Sequence, residues 1–311
     1  MSEPGRPVAL IGAPSSVGIR PYDDDGAVRE IYRTPAVFRE LKLAERVRAD
    51  DLGDVLPPPY VDFERPPGGA RNEAAVAAYS RALAERIAVT TDEGKFTLLI
   101  GGECSIVLGA LLGARQGAGA QVGLAYVDGH ADFATPSESI TGSVASMCLA
   151  LAVGRGDSPL ARLSEGGPLV DARDTALIGR RDEGESWYGN EALAKTDMLD
   201  ISAANVKELG GSTVATAALG RLARPGLGGF WIHVDADVLD PVVMPAVDSP
   251  DPGGLSLDTV AELLVPLVQH PNALGLELTI YDPGLDPDGT CARRLVTLLE
   301  RVLAGRHRDL A

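Results

Sequence analysis

Residues 122–132 read Val-Gly-Leu-Ala-Tyr-Val-Asp-Gly-His-Ala-Asp, and residues 230–240 read Phe-Trp-Ile-His-Val-Asp-Ala-Asp-Val-Leu-Asp. Each stretch begins with a short apolar run, which is typical of a strand that is buried on both faces of a sheet. Each run then stops at closely spaced aspartates. Two such stretches indicate parallel strands whose ends carry polar side chains, so they predict both the fold and the place of a functional site.

The two polar clusters have the composition of a metal site. The first contains Asp128, His130 and Asp132, and the second contains Asp235 and Asp237. Carboxylates this close together repel one another unless a cation lies between them, and the imidazole adds a nitrogen donor that transition metals favour more than calcium does. Isolated Asp-x-Asp pairs are usually turn or capping residues. Two clusters at strand ends instead predict one pocket with one or two divalent metals, and metal-assisted hydrolysis is the first hypothesis.

Strand-length apolar runs alternate with helix-length amphipathic segments along the whole chain. Strands are predicted at 8–11, 49–52, 96–100, 122–127, 175–178, 197–201, 230–234 and 273–278, and helices at 34–47, 72–89, 105–112 and 292–303. A Pro- and Gly-rich loop is predicted at 57–69. The pattern predicts one α/β domain over residues 1–311, with three αβα layers around a mainly parallel sheet and a site at the carboxyl ends of its strands.

Composition narrows the class of protein and its partners. The chain has 311 residues, is 45% hydrophobic and carries a formal net charge of −16. A nucleic-acid or anionic-membrane partner would need a basic face, so this charge argues against both. No signal segment or membrane-spanning run is predicted. The widely spaced Cys104, Cys148 and Cys291 are typical of reduced thiols, which favours a cytoplasmic protein.

Several shorter motifs accompany the acidic clusters. They are Ile11-Gly-Ala-Pro14, the strand-terminal Gly101-Gly102, Asp240-Pro241 and Pro252-Gly-Gly-Leu-Ser256. With this ordered set, the chain resembles the arginase/agmatinase (ureohydrolase) family over nearly its full length. The resemblance implies an eight-stranded parallel sheet, a binuclear manganese centre and a small-molecule substrate. It also implies a homo-oligomer, commonly a trimer or a hexamer.

The resemblance also implies roles for the clustered residues. Asp128 and Asp235 would bridge two metals, His130 and Asp237 would complete one of them, and Asp132 would bind the other. A metal-activated hydroxide would then attack the guanidinium carbon of the substrate, because two cations lower the pKa of a shared water. Asp132 would orient that hydroxide. Asp240 is expected to fix the loop before Pro241 rather than to touch metal.

One metal position departs from the family pattern. The family usually has Gly-Gly-Asp-His-Ser where this chain reads Gly101-Gly-Glu103-Cys104-Ser105, so Cys104 stands in place of an imidazole ligand. Thiolate is a softer donor that suits manganese poorly, so this position would be weak, empty or occupied by Zn²⁺, Fe²⁺ or Co²⁺. A mononuclear centre is an open alternative, and so is Cys104 as a small buried apolar residue.

The substrate-recognition positions depart as well. Ala145 replaces a histidine thought to shuttle protons, Ile280 replaces a guanidinium-binding glutamate with Glu277 three residues upstream, and Ala134 replaces a substrate-binding asparagine. These changes argue against ordinary hydrolysis of free arginine. The cysteine is similar to that of the family's hydroxyarginine hydrolases, which release hydroxyurea. A hydroxyguanidine is less basic than a guanidine and depends less on a carboxylate clamp and a proton shuttle.

The role of His233 and the activity of the chain both remain open at this point. His233 is expected to point to the same side of its strand as Asp235, because the two are two residues apart. It is a replacement catalytic proton carrier, a hydrogen-bonding partner of the site's ligands, or a hydrogen-bonded core histidine.

The chain as a whole is predicted to hydrolyse a non-peptide C–N bond in a guanidino, hydroxyguanidino or related amidine or amide substrate. The second reading is a catalytically inactive relative that acts as a binding or assembly partner.

Overall fold

The fold is known from a computed structural model that describes residues 6–20, 28–61, 65, 67–185 and 189–307. Within these residues, strands and helices alternate as the sequence predicts. The strands are β1 Val8–Ala13, β2 Asp50–Asp54, β3 Phe96–Gly101, β4 Gly123–Val127, β5 Thr175–Ile178, β6 Leu199–Ile201, β7 Phe230–Asp235 and β8 Ala273–Thr279. The helices are α1 Thr34–Glu40, α2 Leu43–Arg46, α3 Glu73–Asp92, α4 Ile106–Ala118, α5 Cys148–Ala152, α6 Asn190–Leu193, α7 Ala203–Leu209, α8 Gly211–Leu222, α9 Leu257–Gln269 and α10 Thr290–Leu303.

All eight described strands form one parallel sheet in the order β2-β1-β3-β8-β7-β4-β5-β6. Every residue of β1, β3, β4, β5, β7 and β8 is buried. Because successive strand residues point to opposite faces, this burial means that both faces of the sheet are covered. The predicted α/β class with a parallel central sheet is therefore confirmed.

The strand order places four chain segments side by side at the centre of the sheet. Strands β3, β8, β7 and β4 are neighbours, although β7 and β8 come more than 100 residues after β3 and β4 begin. Since the strands are parallel, the segments that follow them lie along one edge. These segments include the two acidic clusters and Cys104, so the predicted meeting of distant residues has a structural basis.

One predicted helix is wrong. Residues 34–47 were expected to be continuous, but α1 ends at Glu40 and α2 begins at Leu43. Lys42 between them has a φ of 61°, in the left-handed region that interrupts a right-handed helix. The break re-aims the chain so that Leu43 is fully buried. In the predicted loop at 57–69, the described residues are irregular or turn, and residues 62–64 and 66 lie outside the described part.

Helices α3 and α4 pack unusually closely through glycines spaced four residues apart. A Cβ added to Gly109 would lie 2.7 Å from the carbonyl oxygen of Ser80, and one added to Gly113 would lie 2.7 Å from that of Ala84. Side chains are therefore excluded from this face of α4 by the backbone of α3. The close packing holds α4, and with it the Cys104 segment that leads into the helix, against the body of the protein.

We predict that Gly113→Ala destabilises the protein by about 1–3 kcal/mol, because the added methyl group would clash with the α3 backbone. The matched control is Gly220→Ala in α8, where a Cβ meets nothing within 4 Å. That change should stabilise the protein by about 0.5–1 kcal/mol, since alanine is the better helix former. Denaturant unfolding measures both, and equal effects of the two changes would contradict the packing described here.

Candidate metal centre

The candidate site lies where β3, β4, β7 and β8 end. Cys104 follows β3, Asp128 follows β4, and Asp235 is the last residue of β7. All three side chains are at most 2% exposed. Buried carboxylates at this density are costly without a compensating charge, so the local chemistry indicates a cation site.

Glu103 fixes the segment that carries Cys104. Its fully buried carboxylate accepts hydrogen bonds from Ser15 Oγ (2.9 Å), Gly18 N (3.1 Å), Ser105 N (2.9 Å) and Ser105 Oγ (2.7 Å). These bonds join the segment after β1 to the segment after β3. The glutamate that departs from the family's usual aspartate therefore has a positioning role in this structure.

A first group of possible metal ligands comprises Cys104, Asp128, His233 and Asp235, whose donor atoms all lie within 4.8 Å of one another. Cys104 Sγ lies 2.9 Å from Asp235 Oδ2. His233 Nε2 lies 3.7 Å from Asp128 Oδ2, which is close but beyond hydrogen-bond distance. The group offers one sulfur, one nitrogen and carboxylate oxygens.

A second group comprises Asp128, His130 and Asp237. His130 Nδ1 lies 2.9 Å from Asp237 Oδ2 and 3.8 Å from Asp128 Oδ1. The other ring nitrogen, Nε2, lies 3.1 Å from Asp251 Oδ2. Asp128 belongs to both groups, as a bridging carboxylate would, whereas Asp235 falls in the first group alone.

Asp132 lies outside both groups but close to them. Its Oδ2 accepts a 2.6 Å hydrogen bond from the buried Tyr126 hydroxyl, and its side chain borders the cavity above the site. Its φ of 46° is in the left-handed region. Tyr126 was not singled out from the sequence, because an apolar strand position gives no sign that its hydroxyl meets a carboxylate. Asp240 holds its loop as expected, accepting from Val242 N (3.0 Å) and Gly253 N (3.1 Å).

The electrostatics show how strongly the site requires positive charge. Burial, and then repulsion between neighbouring carboxylates, raises the pKa of Asp128, Asp132 and Asp235. Burial also raises the pKa of the Cys104 thiol, and the charge of Asp235 adds to the effect. Burial alone would lower the pKa of His233, but Asp128 and Glu277 raise it to about 9. A divalent cation among these groups would favour their deprotonated forms, and the oxygen, nitrogen and sulfur donors fit such a cation.

A cavity of about 190 Å³ opens above these residues. Its lining includes Cys104, Asp132, Ala145 and Ile280, so two of the three altered substrate-recognition positions border the space where a substrate would bind. Ile280 is 3% exposed and has a φ of 66°. Ala134 is fully buried and is not among the lining residues. The volume is below the roughly 300–1,000 Å³ that is typical for drug-sized ligands, which favours a small substrate.

Comparison with known proteins agrees with this geometry. A family model described as "Arginase family" matches residues 6–305. The chain belongs to the arginase family. Members of this family are metal-dependent amidinohydrolases, so the chain is a hydrolase of the ureohydrolase class that acts on a non-peptide C–N bond of a small molecule. The reading as an inactive binding partner is not favoured.

Individual relatives cover almost the whole chain. Arginase from Bacillus subtilis (strain 168) is 27% identical over 303 residues, which are 95% of this chain and 97% of that protein. The solved arginase from Bacillus caldovelox is similar with a TM-score of 0.83 and 25% identity, covering 96% of this chain and 98% of that one. The agmatine ureohydrolase of Thermoplasma volcanium has a TM-score of 0.68 at 21% identity, covering 97% of this chain and 90% of that one, which supports the fold alone.

We predict that chelator treatment lowers thermal stability and that adding back Mn²⁺, Co²⁺ or Zn²⁺ restores it. An ion that binds only the folded state adds about 2.7 kcal/mol at 100 times its dissociation constant. Asp128→Asn should lose most of this response, because Asp128 belongs to both ligand groups. Asp258→Asn is the control, since the exposed Asp258 pairs with Arg301 and belongs to neither group. A melting temperature that does not respond to any of these ions would contradict the assignment of a metal centre.

Proposed function

We propose that the protein hydrolyses a C–N bond in a hydroxyguanidino compound or a similarly weakly basic guanidino substrate. The observation that carries this proposal is the combination of a dense metal-type cluster with apolar side chains at two substrate positions, Ala145 and Ile280. Ala145 and Ile280 border the same cavity as Asp128 and Asp237. The family's chemistry is retained in this proposal, while its usual means of holding a charged guanidinium is absent at these positions.

We assign two metal positions that share Asp128. In the first, Cys104, Asp132 and Asp235 would join Asp128, and in the second His130 and Asp237 would do so. The second set resembles the family's pattern without change, so we propose Mn²⁺ there. Zn²⁺, Fe²⁺ or Co²⁺ suits the first position better, because thiolate is a soft donor. Ions at such positions lower the pKa of a bound water and polarise the substrate.

The side chains around the cavity would orient the attacking water and contact the substrate. Asp132 would orient the attacking water, since Tyr126 fixes one oxygen of its carboxylate and the residue borders the cavity. Ile280 would give the substrate an apolar contact where a carboxylate would favour a cation. A neutral hydroxyguanidine loses less hydration there than a guanidinium ion does. His233 does not border the cavity in the described part of the chain, which argues against a direct contact with substrate.

The lining of the cavity carries charges of both signs outside the metal-type cluster. Arg20, Arg29 and Asp248 line the cavity, and Arg29 forms an ion pair with Asp248 and donates a 2.8 Å hydrogen bond to the carbonyl oxygen of Arg20. We propose that the end of the substrate remote from the reacting carbon lies here. Groups of both charges in the lining of the cavity suit a zwitterionic end, such as that of an amino acid.

Three coarser features complete the proposal. We propose one domain over residues 1–311, supported by a single sheet in which the first strand β1 and the last strand β8 are both interior strands. A cytoplasmic protein is supported by three buried, free cysteines. No helix in the described part of the chain has both the length and the apolar character needed to cross a bilayer. A trimeric or hexameric assembly is proposed from the family resemblance.

We predict that metal-loaded protein releases hydroxyurea from an N-hydroxyguanidino amino acid at least about tenfold more efficiently than urea from arginine. The reason is that about 1.4 kcal/mol of differential binding at the apolar Ile280 region suffices for that ratio. Release of urea, hydroxyurea and ammonia should be measured over a panel of guanidino, hydroxyguanidino and amidine compounds. Asp237→Asn serves as the inactive control. Bound metal without release from any compound would count against the proposed reaction.

We predict that Cys104→His raises Mn²⁺ content from about one ion to about two per chain, because imidazole suits manganese better than thiolate does. Elemental analysis after dialysis against Mn²⁺ measures the ratio. Cys291→Ala, at the start of α10 and remote from the cluster, is the matched control and should leave the ratio unchanged. An unchanged ratio in Cys104→His would mean that Cys104 is not at a ligand position.

A further inference from the structure

His233 occupies an unusual place for a core histidine. It lies in the middle of β7, is 0% exposed, and is opposite Tyr126 of β4 and Glu277 of β8 in the strand register. The Tyr126 ring stacks on the imidazole at 4.2 Å with an interplanar angle of 16°. Both neighbours therefore restrict the ring to one plane.

The two ring nitrogens of His233 have different surroundings. Nδ1 lies 2.6 Å from Glu277 Oε1, so the proton of a neutral imidazole stays on Nδ1 and is donated to that carboxylate, and Nε2 then offers its lone pair to a bound ion. Within the described residues, Nε2 makes no hydrogen bond, and neither does the buried Asp128 Oδ2 that lies 3.7 Å from it. Leaving a buried polar atom without a partner costs about 1–3 kcal/mol. The reading as a hydrogen-bonded core histidine accounts for the contact between Nδ1 and Glu277. It does not account for a buried Nε2 without a hydrogen-bond partner.

A shared ion would satisfy both atoms at once. Two donors bound to one zinc ion at about 2.0–2.2 Å each are separated by at most about 4.4 Å, so a separation of 3.7 Å is within range. Cys104 and Asp235 belong to the same group, in which one donor atom from each of the four residues lies within 4.8 Å of the others. The four donors therefore surround one space, and that number is typical of a tetrahedral site.

His130 in the second group has the same arrangement. Its Nε2 lies 3.1 Å from the Asp251 carboxylate, and its Nδ1 faces Asp237 and Asp128. Metal-binding histidines usually give their second nitrogen to a carboxylate or carbonyl group, which fixes the tautomer and the ring orientation. Glu277 would fix the tautomer and the ring orientation of His233, as Asp251 does for His130.

We propose that His233 Nε2 is a ligand of the first metal position, together with Cys104, Asp128 and Asp235. It would take the place given above to Asp132, which lies outside both ligand groups and keeps its role of orienting the water. This inference rests on the proposed metal centre and refines it, because it returns to the first position the imidazole that Cys104 displaces. Glu277 is the positioning residue that holds the ring. One sulfur, one nitrogen and two carboxylates form a set that binds Zn²⁺ or Co²⁺ in preference to Mn²⁺.

Cobalt is a suitable probe, since its visible spectrum reports coordination and a thiolate ligand adds a charge-transfer absorption in the near ultraviolet. Metal-free protein would be titrated with Co²⁺, following bound cobalt by equilibrium dialysis and coordination by absorption. The variants are His233→Gln, whose amide can still pair with Glu277, and Glu277→Gln, which keeps the imidazole. His270→Gln is the matched control, because His270 lies at the end of α9, outside both ligand groups.

Wild-type protein should bind about two Co²⁺ ions, one of them with the thiolate absorption. His233→Gln should weaken that ion at least about tenfold and change its visible spectrum, while the ion of the His130 group remains as an internal sign of correct folding. Glu277→Gln should weaken the same ion about 10- to 100-fold. The control should match wild type.

Two Co²⁺ ions with unchanged affinity and spectrum in both His233→Gln and Glu277→Gln would overturn the assignment of His233, and the metal-dependent hydrolase would stand. Wild-type protein that binds no cobalt, zinc or manganese would overturn the metal centre itself. Because the two failures differ in the wild-type titration, one experiment separates them. If His233→Gln does not fold, Glu277→Gln alone decides, since its imidazole is intact.

Discussion

Repulsion among buried carboxylates at one edge of a parallel sheet is the constraint on which the rest of this structure depends. Asp128, Asp132, Asp235 and Asp237 are each at most 6% exposed. A fold that brings them together gains nothing from their charge unless cations or protons lie between them. The surrounding groups, from the Tyr126 hydroxyl to the backbone amides, reduce that cost but do not remove it. The fold that brings these carboxylates together therefore also creates the requirement for a metal ion.

Much of the fold could be predicted because its strands are short apolar runs bounded by glycine or aspartate. Buried parallel strands have this signature irrespective of their neighbours. Helices were harder to predict. Helix α9 contains Pro266, which in a sequence indicates a helix end, yet the helix continues to Gln269. The break at Lys42 and the close packing of Gly113 on α3 follow from tertiary contacts, which local sequence patterns do not predict.

The candidate site likewise contains residues that local sequence predicts and residues whose contacts depend on the whole fold. The aspartates and His130 were found from the sequence because spacing at strand ends is a local property. The partners of His233 were not, because they depend on the register of β7 against β4 and β8. A shift of one residue would turn Glu277 to the opposite face of the sheet and remove it from His233. Register is set by the packing of the whole sheet and cannot be inferred from one strand.

Cys104 and Asp235 touch although 131 positions separate them in the chain. A ribosome must therefore release β7 and β8 before the first ligand group can exist, and a nascent chain that has emerged only as far as β4 offers an ion no enclosed binding site. Metal acquisition is consequently a late event in the biogenesis of this protein.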